Sequence, residues 1–268
     1  HEEVEYWPGV DGPAPSRSAH GLTVIAPIAR SRRIPLYRLI DLPRTEGLAT
    51  SFTIAIDTPE EMARMAREIP DYPVIKVKLG SEDDRARLAA VRKARPDAKL
   101  RVDANAGWTL PQAKRQVEEL AEFGLEMIEQ PLVRVALEEM GEIQQLTTIP
   151  IVADESVQTL QDVERLASAG VQGINIKLMK VGGLLAGLRM LRRARDLGMK
   201  IMLGCMIETS LGTTAMAHLS GLADWIDLDA PLLIANDPFE GIRYDKHLHI
   251  SVPERAGIGV IPRTTVLD

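Results

Sequence analysis

From about residue 51 the chain alternates between short β-rich runs and longer amphipathic helical runs, one repeat about every 25 residues. The β-rich runs fall at 51–56, 74–78, 99–103, 127–129, 151–154, 173–177, 200–204 and 225–227. Eight strands separated by seven helical segments imply right-handed βαβ units and a parallel sheet. The expected fold is therefore α/β, a (β/α)7β TIM-like barrel, because closing the eight strands leaves no sheet edge. An open doubly wound sheet is the alternative, but it wants a glycine-rich first turn. None follows the first two strands.

The helical runs carry recognisable starts and stops. Asp57-Thr58-Pro59-Glu60-Glu61 combines a cap, a first-turn proline and acids. Ser81-Glu82-Asp83-Asp84 and Thr109-Leu110-Pro111-Gln112 repeat the pattern, and Thr159-Leu160-Gln161-Asp162 is close to a capping box. Gly170 and Gly198 stand where helices should stop. Three regions follow: 1–50, the barrel at 51–235, and a tail at 236–268 with short β-like pieces such as 247–252. The first region is irregular over 2–18, with Pro8, Pro13 and Pro15, then helical over 19–33, where Pro27 should kink or end the helix.

Composition removes several function classes. At 268 residues and 45% hydrophobic, the chain can bury a large core. Lys+Arg number 32 against 38 Asp+Glu, and no long basic run occurs, so a nucleic-acid footprint is absent. No apolar run reaches the roughly 18 residues of a membrane span. The lone Cys205 can form neither an internal disulfide nor a Cys-rich zinc site, which points to a reducing compartment and a cytoplasmic location. The start, His1-Glu2-Glu3-Val4-Glu5, is too acidic for a secretory signal and lacks an initiator Met.

Active sites of such barrels lie at the C-terminal ends of the strands. Those ends read Lys78, Asp103, Glu129, Asp154 and Lys177, at spacings of 25, 26, 25 and 23 residues. Any one of them alone is an ordinary rim residue. Together they are not, because charges at the ends of apolar strands cost desolvation unless they are paired or bind something. Asp103, Glu129 and Asp154 end neighbouring strands and should converge, a hard oxygen set suited to one Mg²⁺ per subunit, with Mn²⁺ as a substitute. A carboxylate cluster neutralised by Lys76 and Lys180 is the plainer alternative.

Lys78 and Lys177 end the second and sixth strands, so they face each other across the mouth. Two bases on opposite faces can remove a proton from one side of a carbon and return it to the other. Lys76 shares a strand face with Lys78 and should lower its pKa. Removing a proton next to a carboxylate makes an enediolate, whose charge a divalent cation stabilises. Asp227 and Asp229 place two negative charges opposite the acids, which suggests a substrate with an anionic end at the metal and a cationic end there, such as a dipeptide; the alternative is that Asp229 caps a following turn while Asp227 pairs with a rim lysine.

These motifs resemble the muconate-lactonizing subgroup of the enolase superfamily, and within it the dipeptide epimerases. The likeness rests on Lys76-Val77-Lys78, Val102-Asp103-Ala104-Asn105, Ile128-Glu129-Gln130-Pro131, Ala153-Asp154-Glu155-Ser156, the run 175–183 from Asn175 to Gly183, and Asp227-Leu228-Asp229. It covers about residues 35–265. The resemblance implies that Asp103, Glu129 and Asp154 are metal ligands and that Lys78 and Lys177 are the acid/base pair. It implies that Lys76, Asn105, Lys180, Met206, Asp227 and Asp229 line the substrate site, the two aspartates holding an α-ammonium group. The same five residues serve N-acylamino acid racemase, o-succinylbenzoate synthase and muconate cycloisomerase chemistry, with no cation site required. Relatives of this kind carry an N-terminal capping domain. Here only its final helix is expected, in 1–50, and a non-catalytic barrel that binds metal or ligand is a third reading. A homo-oligomer acting on a small molecule is expected.

The remaining features read as structural. His247 and His249 suit a surface strand, Gly182-Gly183 a tight turn, Cys205 a buried thiol, and 184–197 a core-facing helix.

Overall fold

A computed structural model describes residues 12–263. The expectations for 1–11, including Pro8, and for the tail at 264–268 lie outside the described residues.

The chain opens with α1 (Ala14–Ser31) and α2 (Leu36–Leu39), then β1 (Glu46–Ala49) and β2 (Phe52–Ile54). Six βα-type repeats follow: α3 (Pro59–Glu68), β3 (Val74–Lys78), α4 (Asp84–Ala94), β4 (Lys99–Asp103), α5 (Leu110–Glu119), β5 (Leu125–Glu129), α6 (Leu137–Gln144), β6 (Ile151–Ala153), α7 (Leu160–Ser168), β7 (Gly173–Ile176), α8 (Leu178–Val181), α9 (Leu184–Asp196) and β8 (Lys200–Gly204). The chain continues through α10 (Ser210–Ala217), β9 (Trp225–Asp227) and α11 (Ala230–Leu233) to β10 (Phe239–Glu240), β11 (Arg243–Tyr244), β12 (His249–Ser251) and β13 (Ile261–Pro262).

Strands β2 to β9 pair in parallel and in sequence order, as the eightfold alternation requires. The seam between β9 and β2 is narrow. A parallel bridge joins Thr50 to Ile226, and the Ser51 amide donates to the Ile226 carbonyl at 3.2 Å. Arg101 strengthens it from inside, donating to the same carbonyl at 2.9 Å and to Ser51 Oγ at 3.0 Å.

The period-two alternation of the strands separates two apolar cores. Ile75, Val77, Leu100, Val102, Ile174 and Ile176 belong to a large cluster shared with helical residues such as Met62, Leu88 and Val117. Met127, Val152 and Met202, with Trp225 against them, form a second, small cluster inside the barrel. On β3, β4, β5 and β9, two residues beyond the inward-facing positions come Lys78, Asp103, Glu129 and Asp227. The ring of charges is thus the next inward layer.

Capping chemistry agrees with the sequence in three of four helices. Thr58 Oγ1 accepts from the Glu61 amide, and Thr109 and Thr159 each head a capping box. At α4 the expected Ser81 cap is replaced by Asp84, whose buried carboxylate accepts from the Gly80 and Ser81 amides at 2.9 and 3.1 Å. Gly170 and Gly198 both take positive φ, as helix stops do.

The proline reading of the N-terminal helix needs correction. α1 starts earlier than residue 19 and runs unbroken past Pro27 to Ser31. Its buried face is Ser18, Gly21, Ile25 and Ala29, whereas Pro27 and Thr23 are exposed. The hydrogen bond that Pro27 cannot make is therefore lost on the solvent side, where water replaces it, and packing holds the helix. The three-stranded sheet β1-β12-β11 was also unforeseen in part. The 247–252 piece was expected, but its partner β1 was not.

His218 ties the N-terminal segment to the tail. Its Nδ1 accepts from the Tyr37 amide at 3.1 Å, and its Nε2 lies 2.9 Å from the Ile258 carbonyl. Only a neutral ring can accept at one nitrogen and donate at the other. Burial accordingly pushes its pKa down to about 4. Because the folded value lies below the unfolded 6.5, the unfolded chain takes up this proton first. The His218 contribution is therefore full above about pH 6.5 and is lost as pH falls toward about 4. In thermal melts across that window, His218→Gln is expected to lose stability less steeply than the unaltered protein. Parallel curves would refute this.

Candidate active site

The register of the strands brings the charged residues level. Lys78 is opposite Asp103 across β3 and β4, and Asp103 is opposite Glu129 across β4 and β5. Lys177 follows directly after β7, and Asp154 directly after β6. Lys78 Nζ donates to Asp103 Oδ2 at 2.6 Å and to Asn105 Oδ1 at 2.8 Å. Across the mouth, Lys177 Nζ donates to Asp154 Oδ2 at 2.8 Å. Lys180 also holds Asp154, donating to its carboxylate and its main-chain carbonyl.

Lys76 behaves differently from the expectation that it serves as a neighbour to Lys78. Its ammonium is buried and donates to Asp227, with Glu129 Oε2 at 3.6 Å and Asp103 Oδ2 at 3.8 Å. It is the counter-ion at the centre of three acids drawn from three strands. Asp227 is consequently engaged from within the protein, while Asp229 Oδ2 is buried without a hydrogen-bond partner. Met206 stands in the loop after β8, 42% exposed, and its amide donates to Glu208 at 3.3 Å. Cys205, expected as a buried thiol, is half-buried; it donates to the Asp227 carbonyl, and burial pushes its pKa up.

Burial and neighbouring charge pull these groups apart electrostatically. Glu129 is pushed up to about 8 by burial and by Asp103 beside it, against the pull of Lys76. Asp154, though buried, is held down at about 2 by Lys180 and Lys177. Asp229 is raised to about 7 by burial and by the Asp227 charge. Burial opposes charge on both Lys76 and Lys177, yet surrounding carboxylates outweigh it and hold both ammonium groups above the usual lysine range. Lys180 falls below that range: burial acts against it, Lys177 repels it, and it shares a single carboxylate.

Behind the charged layer lies a set of polar residues that sequence reasoning passed over. Asn175 is fully buried and donates from Nδ2 to Glu129 Oε1 at 2.7 Å. Gln130 clamps two strand ends together: its Oε1 accepts from the Asp154 and Ser156 amides at 2.8 and 3.2 Å, and its Nε2 donates to Ser156 Oγ at 2.8 Å. Asp84 accepts from Trp108 Nε1 at 2.8 Å, riveting the loop after Lys78 to the loop after Asp103. That contact needs a close backbone approach, since a Cβ on Gly80 would come within 2.7 Å of the Ala104 carbonyl oxygen. The available signal was polarity inside a buried strand. Asn175 is flanked by Ile174 and Ile176 and shares the inward face with Lys177, so it had to have a partner.

The donor set fits a hard divalent cation. Asp103, Glu129 and Asp154 are all buried, and Glu129 Oε2 has no hydrogen-bond partner. As the side chains stand, no three His, Cys, Asp or Glu groups among the described residues are gathered at metal-binding spacing. The three acids end neighbouring strands, with Lys76 between Asp103 and Glu129 and with Lys177 and Lys180 on Asp154. Lysines hold oxygens of Asp103 and Asp154, because buried carboxylates repel one another and need counter-charge.

A model of the Enolase C-terminal domain-like family matches residues 58–266, and the chain belongs to that family. An L-Ala-D/L-amino acid epimerase of Pedosphaera parvula is 38% identical over 251 residues, covering 91% of this chain and 72% of the relative. An L-Ala-D/L-Glu epimerase of Bacteroides thetaiotaomicron is 38% identical over 229 residues, 85% of this chain and 59% of the relative. The solved dipeptide epimerase of Cytophaga hutchinsonii, complexed with Mg and D-Ala-L-Val, superposes with a TM-score of 0.91 at 31% identity, over 96% of this chain and 73% of that one. The chain therefore spans between about six and seven tenths of the length of these relatives. No described helix is long and apolar enough to cross a membrane.

Proposed function

We propose that this chain is the catalytic barrel of a dipeptide epimerase, moving the proton next to the substrate's free carboxylate through Lys78 and Lys177. One observation carries the reading. The two ammonium groups stand on β3 and just beyond β7, on opposite sides of the ring, with Asp103, Glu129 and Asp154 between them. A carbon held between them presents one face to each lysine. Asp103, Glu129 and Asp154 would hold Mg²⁺, or Mn²⁺ in its place. When bound, it supplies positive charge beside the substrate carboxylate as negative charge builds up there. Lys78 and Lys177 would then no longer be needed as the counter-ions of Asp103 and Asp154.

Dipeptides are the substrate class because Asp229 offers a buried, unpartnered carboxylate oxygen at the far side of the site, suited to an α-ammonium group. The names of the relatives point the same way. An N-acylamino acid, or a substrate of o-succinylbenzoate synthase or muconate cycloisomerase type, is the second reading. It is favoured by the fact that Lys76 already neutralises Asp227.

The test is exchange of the substrate α-hydrogen in D₂O, read by mass over a dipeptide library and a set of N-acylamino acids, with Mg²⁺ and with chelator. Mg²⁺-dependent exchange confined to dipeptides supports the first reading. Asp229→Asn should then raise KM for dipeptides about tenfold or more, the scale of a lost charge-assisted hydrogen bond. Full turnover of dipeptides by this variant, or exchange only in N-acylamino acids, would reject the ammonium site. Mg²⁺ uptake with no exchange in any substrate would leave a binding barrel without catalysis.

A further inference from the structure

Gly204 ends β8 at the mouth, and its φ does not lie in the left-handed region that favours glycine. The backbone therefore does not explain it; space does. A Cβ built there would lie 2.7 Å from Asn175 Oδ1, 2.9 Å from Asn175 Nδ2 and 2.9 Å from Lys177 Cε. Any side chain at 204 would displace the Asn175 amide and the Lys177 stem, both packed into a crowded barrel wall.

Asn175, in turn, donates to the Glu129 carboxylate at Oε1. Both residues are fully buried. The amide fixes Oε1, and Oε2 is left without a partner. A carboxylate anchored by one oxygen presents the other in a defined direction, which is what a ligand needs before a cation arrives. Asn175 Oδ1 is likewise buried without a partner, so the amide is not there to satisfy itself. Its placement is maintained at the expense of an unmet acceptor.

We propose that Asn175 is a positioning residue for Glu129, and that the absence of a side chain at Gly204 is what permits its placement. The inference rests on Glu129 being a ligand of the divalent cation. It predicts that two strands cooperate to aim one oxygen.

The test is Mg²⁺ affinity by titration calorimetry for the unaltered chain, Asn175→Ala, Gly204→Ala and the double variant. Thermal midpoints in chelator serve as the control for folding. Loss of a residue that orients a ligand weakens metal binding by about 10–100-fold, and both single variants are expected in that range. The double variant should lose clearly less than the product of the two single losses, because an alanine at 175 removes the amide that the new methyl at 204 would strike and leaves only its contact with the Lys177 stem. A purely structural role would lower the midpoint in chelator and leave affinity alone. Affinities within twofold of the unaltered chain in both folded single variants, or strictly multiplicative losses in the double variant, would overturn the proposal. If the unaltered chain takes up no Mg²⁺, the metal reading falls, and this role with it.

Discussion

Lys78→Ala and Lys177→Ala are each expected to slow epimerisation by a factor on the order of 10³, the scale of a lost general acid or base. The pattern of exchange should separate the two lysines. Each stands on its own side of the ring, so each removes the α-hydrogen of one antipode and, in the reverse direction, delivers the proton that forms that same antipode. With one lysine gone, the remaining one can still remove and return a proton on its own face. Lys78→Ala should therefore wash deuterium into one antipode of the substrate without inverting it, and Lys177→Ala should do so with the other. Mass spectrometry of both antipodes in D₂O reads this directly. Exchange of the same antipode by both variants would mean that the lysines share a face, which would defeat the two-sided reading. Epimerisation at the unaltered rate in either variant would remove that lysine from the chemistry.

That experiment is designed from residues visible in the sequence, and the reason they are visible is periodicity. One strand and one helix occupy about 25 residues, so charges that recur at that interval on strand ends must meet at one end of a barrel. The strands themselves shift little: β4 and β8 match the reading from sequence, and β5 begins two residues earlier at Leu125. What was not visible depends on contacts between distant segments. Asn175 and Gln130 matter because of what their amides touch across neighbouring strands. Asp84 matters because Trp108 reaches it. Lys76 has the position of a companion to Lys78, yet its nearest acid is Asp227 on β9, two strands away across the seam. Local rules also fail where they omit burial. Pro27 breaks helices only if the lost hydrogen bond is also lost to water, and here it faces solvent.

The lysines give the site a second property, a charge balance that exists before any cation is bound. Asp154 is shared by Lys177 and Lys180, and Asp103 by Lys78 and Lys76. Two of these four ammonium groups, on Lys78 and Lys177, are the proposed acid/base pair, and as counter-ions they are not yet bases. Lys76 and Lys180 are the more deeply buried pair.

Lys76→Met should reveal what that balance contributes. The substitution keeps the apolar stem and removes the charge, leaving Asp227 and Glu129 buried without their nearest ammonium group and Asp103 with Lys78 alone. Breaking a buried ion pair from one side is destabilising by about 3–5 kcal/mol, which for a chain of this size lowers the thermal midpoint by on the order of 10 °C in chelator at neutral pH. The deficit should depend on pH in a defined direction. Without Lys76, the folded pKa of Asp227 and Glu129 rises, so the acids stay protonated in the fold at pH values where the unfolded chain releases their protons. The variant is thus least impaired near and below the unfolded values of 3.8 and 4.5, and falls further behind as pH rises above them. Two additions should narrow the gap. Mg²⁺ should raise the midpoint of the variant by binding the folded state. Asp227→Asn in the same chain should recover part of the loss, because it removes the acid closest to the missing ammonium. A midpoint within a degree or two of the unaltered protein across pH 5 to 8 would show that Lys76 is not the counter-ion of the cluster, and the charge layer would need another account.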